Sequence, residues 1–153
     1  MRYRKRLVVL VAALLAVCGA PAARGSLGVS CRLEYGRFLL HEPALARVTV
    51  RNLSGRPLSV GGPPAEARLL LEVARSPGEP LPRASSAIDP EPRSIPAGGS
   101  ATFELNVLDA CRLDRSGPYT VRARVDWQGH SYRSTKSFFD VVPGFLVQRF
   151  QAG

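Results

Sequence analysis

Tyr119-Thr120-Val121-Arg122-Ala123-Arg124-Val125-Asp126-Trp127 decides the fold. Tyr119, Val121, Ala123, Val125 and Trp127 fall on one side of an extended chain, and Thr120, Arg122, Arg124 and Asp126 on the other. Strict alternation of this kind is the mark of a β-strand with one buried face, because successive side chains of a strand point to opposite sides. Gln128-Gly129 follows directly, then a second, less regular strand pattern over Ser131–Val141. A Gly in a two-residue link supplies a positive φ, so the pair of runs predicts a tight hairpin.

The same period recurs upstream. Ala44–Asn52 sets Ala46, Val48 and Val50 against Arg47, Thr49 and Arg51; Ala67–Val73 and Ala101–Val107 repeat it. Gly28–Glu34 and Pro57–Val60 are shorter runs of the same kind. Between them stand Asn52-Leu53-Ser54-Gly55, Pro96-Ala97-Gly98-Gly99 and Ser116-Gly117-Pro118, sequences that make turns. No stretch sustains a helical period. Seven short strands with this punctuation predict an all-β chain, an antiparallel β-sandwich whose two sheets share one core. The Pro- and Ser-rich segment Gly78–Pro96 has no period and reads as an exposed loop.

The N-terminus reads as an export signal. Arg2, Arg4, Lys5 and Arg6 precede the apolar run Leu7–Val17, and Ala20-Pro21-Ala22 is a small-residue cleavage site. The run is shorter than the roughly 20 residues that span a bilayer, so no membrane span is expected. Residues 1–22 are thus a signal peptide, 23–142 the β domain and 143–153 a tail or edge strand. The location is secreted or periplasmic. Cys18 offers a second reading, a lipid-anchored N-terminus, although Val17 stands where that pattern has a small residue.

Processing leaves two cysteines, Cys31 and Cys111. In an oxidising compartment an even pair predicts a disulfide. It would close an 81-residue loop, worth about 4.5 kcal/mol in the chain-entropy model. The formal charge of the whole chain is +9; without the four basic residues of the signal, 17 basic residues face 12 acidic ones, a balance of +5.

Two stretches resemble known families. Gly117-Pro118-Tyr119-Thr120-Val121 looks like the tyrosine corner of immunoglobulin-like sandwiches. The corner implies that the Tyr119 hydroxyl ties the preceding loop to its strand. Phe38–Pro43 leading into Ala44–Asn52, followed by Ser54-Gly55-Arg56-Pro57-Leu58, is similar to the opening hairpin of bacterial secreted immunoglobulin-like and macroglobulin-type domains. His41 departs from the Gly usual there, and Cys111 from an aromatic. The resemblance covers roughly 28–142 and implies a spacer or docking module without catalytic residues.

The chemistry agrees. His41 and His130 are the only histidines, and no nucleophile elbow, zinc motif or phosphate loop accompanies them. No cofactor or metal is expected; Asp109, Asp114 and Asp126 fit no calcium-loop spacing. Asn52-Leu53-Ser54 matches a glycosylation sequon. Arg122 and Arg124 share an outward face, and Arg133 lies across the hairpin; together they would form a strip for an acidic polysaccharide. The alternative is a solvated face that discourages edge pairing. Nucleic acid is not expected, since that face lacks interleaved aromatics. Phe145, Leu146, Val147 and Phe150 are apolar enough to dock on a partner. The chain therefore reads as a secreted, non-catalytic interaction or structural module whose partner is another secreted or surface protein. Two alternatives are a proteinase inhibitor presenting a loop within Ser76–Pro96, and a carbohydrate-binding module using Trp127, Tyr132 and the three arginines.

Overall fold

The computed structural model describes residues 26–76, the backbone of 79–80, and 89–144. The expected signal peptide with Cys18, and the tail residues Phe145, Leu146, Val147 and Phe150, lie outside the described residues.

The chain is all-β with two sheets. The smaller is three-stranded, β1 (Leu27–Leu33), β3 (Leu45–Asn52) and β8 (Ser100–Asn106), in the order β1-β3-β8. The larger runs β2 (Arg37–Leu39), β11 (Ser137–Val142), β9 (Gly117–Trp127), β5 (Ala67–Arg75), β4 (Leu58–Gly61), β7 (Arg93–Ile95). Off this path, β6 (Glu79–Pro80) pairs with β5 and β10 (His130–Arg133) with β9. The inward residues of both sheets meet in one core. Val48 and Val50 of the smaller sheet and Val121 and Val125 of the larger are fully covered. Each such side chain contributes about 2 kcal/mol of transfer free energy. Trp127 points inward as its alternation requires, which removes it from any exposed sugar platform.

All seven expected strands form, with three differences. Ser131–Val141 is not one strand. Between the pairs Arg133↔Arg124 and Ser137↔Val121 the register slips by one residue, so Ser134–Lys136 face only Arg122 and Ala123. This is a bulge, and it is held by Ser134: its amide donates to Ala123 O (2.9 Å) and its Oγ accepts from Ala123 N (3.0 Å). Secondly, the ladders are not all antiparallel. β2 runs parallel to β11, and β4 parallel to β5 over Val60↔Ala67 and Gly61↔Arg68. In the second case the chain steps sideways after Gly61-Gly62 and continues in the same direction. Gly62 is required there, since a Cβ would meet Asp89 Cβ at 2.1 Å. Thirdly, β8 ends in a four-residue helical turn, α1 (Val107–Ala110), not foreseen from its alternation. The Asn106 Oδ1 caps it, accepting from Leu108 N and also from Ala44 N, each at 3.2 Å.

The turns carry the motifs. Gln128 (φ 50°) and Gly129 (φ 77°) both lie in the left-handed region and join Trp127 to its partner His130, the tight hairpin the sequence predicts. His41 also has a positive φ of 70°, a conformation that a Gly would adopt without strain. The Tyr119 hydroxyl donates to Arg115 O at 2.6 Å, the tie expected of a tyrosine corner. Its ring stacks on Phe139 at 5.6 Å.

Asn52 is the knot of the first hairpin. Its side chain has no exposure; Nδ2 donates to Arg56 O (2.8 Å) and Ile95 O (3.0 Å), and Oδ1 accepts from Ser54 N (2.9 Å) and Ser54 Oγ (2.6 Å). One amide thus joins the β3–β4 turn to β7. The sequon that begins at Asn52 is therefore closed to modification in the folded chain, and its residues serve the turn.

The expected disulfide is not formed. Cys31 and Cys111 are separate, buried thiols. Cys31 lies within β1, opposite Val48, whereas Cys111 closes α1, its Sγ 3.7 Å from Val107 O. Burial pushes the Cys31 thiol up to about 11 and the Cys111 thiol up to about 12. Both are protonated at neutral pH and act as small apolar core groups.

Candidate functional site

Three surfaces come into question: the outer face of each sheet, and the cleft where the sheets part.

On the larger sheet the three arginines singled out from the sequence do come together, around one carboxylate. The β5–β9 register sets Glu72 opposite Arg122 and next to Arg124, and β10 brings in Arg133. Arg122 Nε donates to Glu72 Oε2 at 2.6 Å, Arg124 Nη1 to Glu72 Oε1 at 2.8 Å, and Arg133 Nε stands 3.7 Å from Glu72 Oε2. Arg124 Nη2 also reaches Asp126 Oδ2 at 3.0 Å. Partial burial of Glu72 favours its neutral form, but the hydrogen bonds and charges of Arg122 and then Arg124 outweigh that and hold its carboxyl below the usual range. The strip is closed on itself. Glu72 and Asp126 thus take up most of the charge of the three guanidinia within the sheet, Arg133 being the most exposed of the three.

The smaller sheet presents a different face. Ser30, Arg32, Arg47, Thr49, Arg51, Thr102 and Glu104 point away from the core. Across the strands Arg32 stands opposite Arg47, and Arg47 opposite Glu104. Arg47 Nη2 bonds Glu104 Oε1 at 3.0 Å, in water on both sides. The Thr49 and Thr102 hydroxyls join at 3.0 Å. No ion pair or hydrogen bond engages the side chains of Arg32 or Arg51 among the described residues. Sequence reasoning placed Arg47 and Arg51 outward but missed this face, because its first row depends on β1 pairing with β3 in one register.

The cleft lies between β5 and β8. β5 is paired with β9 along its whole length, but on its other edge only Ala67–Arg68 and Ala74–Arg75 have partners, leaving Leu69–Val73 open among the described residues. Among the described residues β8 pairs with β3 on one side only. Leu69, Leu71, Phe103 and Leu105 line the gap, a cavity of about 310 Å³, together with the charged side chains of Asp89, Glu91, Arg93, Glu104 and Asp109. Asp89 is engaged by Arg68 at 3.6 Å; Glu91 and Asp109 have no such partner among the described residues.

His41 is an exposed turn residue and His130 the exposed first residue of β10. Asp109 belongs to α1 while Asp126 is bound to Arg124 and Ser131, so the aspartates do not gather. Among the described residues no three His, Cys, Asp or Glu side chains are grouped to hold a metal ion, and no helix is long and apolar enough to cross a membrane. Of the Ser76–Pro96 segment, residues 77–78 and 81–88 lie outside the described residues and only the backbone of 79–80 is described; Arg93–Ile95 is β7.

No family model and no curated protein matches the chain. Solved structures do. The CARDB domain of a Pyrococcus furiosus protein shares 16% identity, covering 77% of this chain and 89% of that one, with a TM-score of 0.48. A β-glucosidase from Erythrobacter marinus is similar at 18% identity and TM-score 0.49 over 77% of this chain, which spans 16% of that enzyme. The sporulation control protein Spo0M from Bacillus subtilis is similar at 16% identity and TM-score 0.47, covering 76% of this chain and 49% of that one.

Proposed function

We propose that this chain is an exported, non-catalytic interaction module of the immunoglobulin-like kind, working at a cell surface or in a periplasm on another protein. The observation that supports the reading is the cleft between β5 and β8. Two strand edges without a ladder partner among the described residues face one gap lined by Leu69, Leu71, Phe103 and Leu105, although Thr102 O on β8 already accepts from Arg93. An extended segment laid there gains main-chain hydrogen bonds from a sheet edge and side-chain contacts from alternate residues. The charged lining is four carboxylates, Asp89, Glu91, Glu104 and Asp109, against Arg93, which favours a segment with basic residues between apolar ones. The two sheets over one core and the Tyr119 tie support the immunoglobulin-like assignment. Residues 1–22 supply the export signal.

The test is selection of octapeptides on the folded domain (residues 23–153). Alternating apolar and basic peptides should be enriched, should lose binding when alternate amides are N-methylated, and should be rejected by an E91K/D109K variant. Enriched peptides indifferent to both changes would overturn the reading. Pro80 pairs with Ala74 and Asp89 with Arg68, at the two ends of the open edge, and residues 81–88 join Pro80 to Asp89 in sequence. Binding that appears only after their replacement by a Gly-Ser linker would assign the cleft to the chain itself.

A further inference from the structure

We infer that the outer face of the smaller sheet binds an acidic polysaccharide, through Arg32, Arg47 and Arg51 and the hydroxyls between them. The site adjoins the cleft, since Arg93 and Glu104 line both, but Arg32, Arg47 and Arg51 lie outside the cleft.

The first ground is the register. Arg32 and Arg47 are directly opposite in the β1–β3 ladder, and like charges so placed destabilise a sheet. On the larger sheet the same problem is solved by Glu72. Here Glu104 takes up Arg47 alone, at 3.0 Å, and Arg32 has no partner among the described residues. Glu34, at the end of β1, has no partner among them either and does not engage it. The cost of the pairing is thus left uncompensated within the described chain, and an anion lying across both guanidinia would remove it.

The second ground is the layout. Successive rows across the sheet read Arg32, Arg47, Glu104; then Ser30, Thr49, Thr102; then Gly28, Arg51, Ser100. Arg47 and Arg51 are about 14 Å apart along β3 at the usual strand rise, with hydroxyls filling the space between. Arg93 borders the face but is already engaged, its Nη1 donating to Thr102 O at 2.6 Å and its guanidinium lying 5.3 Å from the Phe103 ring. Cations at intervals with hydroxyls between them suit a chain whose anionic groups alternate with sugar hydroxyls. The described face carries no aromatic ring, so it offers no platform for stacking bases. That favours a glycan over single-stranded nucleic acid.

Any basic protein is retained on a polyanion, so the test compares faces at equal charge. The probes are heparin oligosaccharide and oligogalacturonate. R32Q/R51Q removes two exposed charges from the face; R112Q/R115Q removes two from the loop after α1. The expected result is roughly a fivefold loss of affinity in the first and under about twofold in the second, from exposed pairs worth a fraction of a kcal/mol each. Unchanged thermal unfolding of both variants verifies that folding is intact. Equal losses in the two variants would overturn the inference. So would tighter binding to duplex DNA or to anionic lipid vesicles than to either oligosaccharide.

Discussion

The two sheets each turn arginines outward, but the larger sheet surrounds them with acid and the smaller leaves them open. On the larger, Glu72 holds Arg122 and Arg124 at 2.6 and 2.8 Å, and Asp126 takes a second nitrogen of Arg124. On the smaller, among the described residues, the water-exposed contact of Arg47 with Glu104 is the only ion pair, and Arg32 and Arg51 stand alone. The difference does not lie in the arginines, which both faces have in similar number. It lies in what the neighbouring strand places opposite them. A half-buried carboxylate at the centre of a β5–β9–β10 patch turns three charges into structure; its absence on β1 leaves charge for something outside the chain.

This contrast can be broken by removing the acids. Glu72→Gln should have the largest effect, a loss of about 2 kcal/mol of stability, because charged hydrogen bonds are lost and three guanidinia are left together. Arg124 Nε is already buried without a partner and cannot take up the slack. Denaturant unfolding measures it; a change under about 0.5 kcal/mol would mean the cluster is ornamental. Acid should show the same thing more gently. Glu72 is held below its ordinary value of 4.5 in the folded state. Its contribution is therefore complete above that value and disappears as pH falls through the depressed one. Wild type should lose stability over this range, and Glu72→Gln should lose less. Glu104→Gln should have the smallest effect, within about 0.5 kcal/mol, since an exposed pair contributes little. A large loss there would erase the distinction between the faces.

Much of the fold was legible in the residues. Period-2 runs located Ala44–Asn52, Ala67–Val73 and Tyr119–Trp127, and turn chemistry located the Gln128-Gly129 hairpin, because both signals are local. β2 and β7 escaped because three residues are too few to show a period. The helical turn at Val107–Ala110 escaped because Val107 continues the alternation of β8, and the Asn106 cap alone marks the change. The arginine strip was legible as a cluster but not as a closed one, since Glu72 is fifty residues from Arg122 in sequence and meets it only through the β5–β9 register. The pairing of Cys31 with Cys111 rested on counting alone. A count cannot say that one thiol is held within β1 and the other at the end of α1.

The most direct measurement is an NMR spectrum of the arginine Nε–Hε groups, recorded as heparin oligosaccharide is added. Before addition, Arg122 and Arg124 should show slowly exchanging, dispersed signals, and Arg32 and Arg51 fast-exchanging signals near the unfolded position. On addition, Arg32, Arg47 and Arg51 should shift and sharpen while Arg122 and Arg124 stay where they are. Shifts confined to Arg122, Arg124 and Arg133 would contradict the account, by showing that the Glu72 cluster opens to ligand and the smaller sheet does not bind.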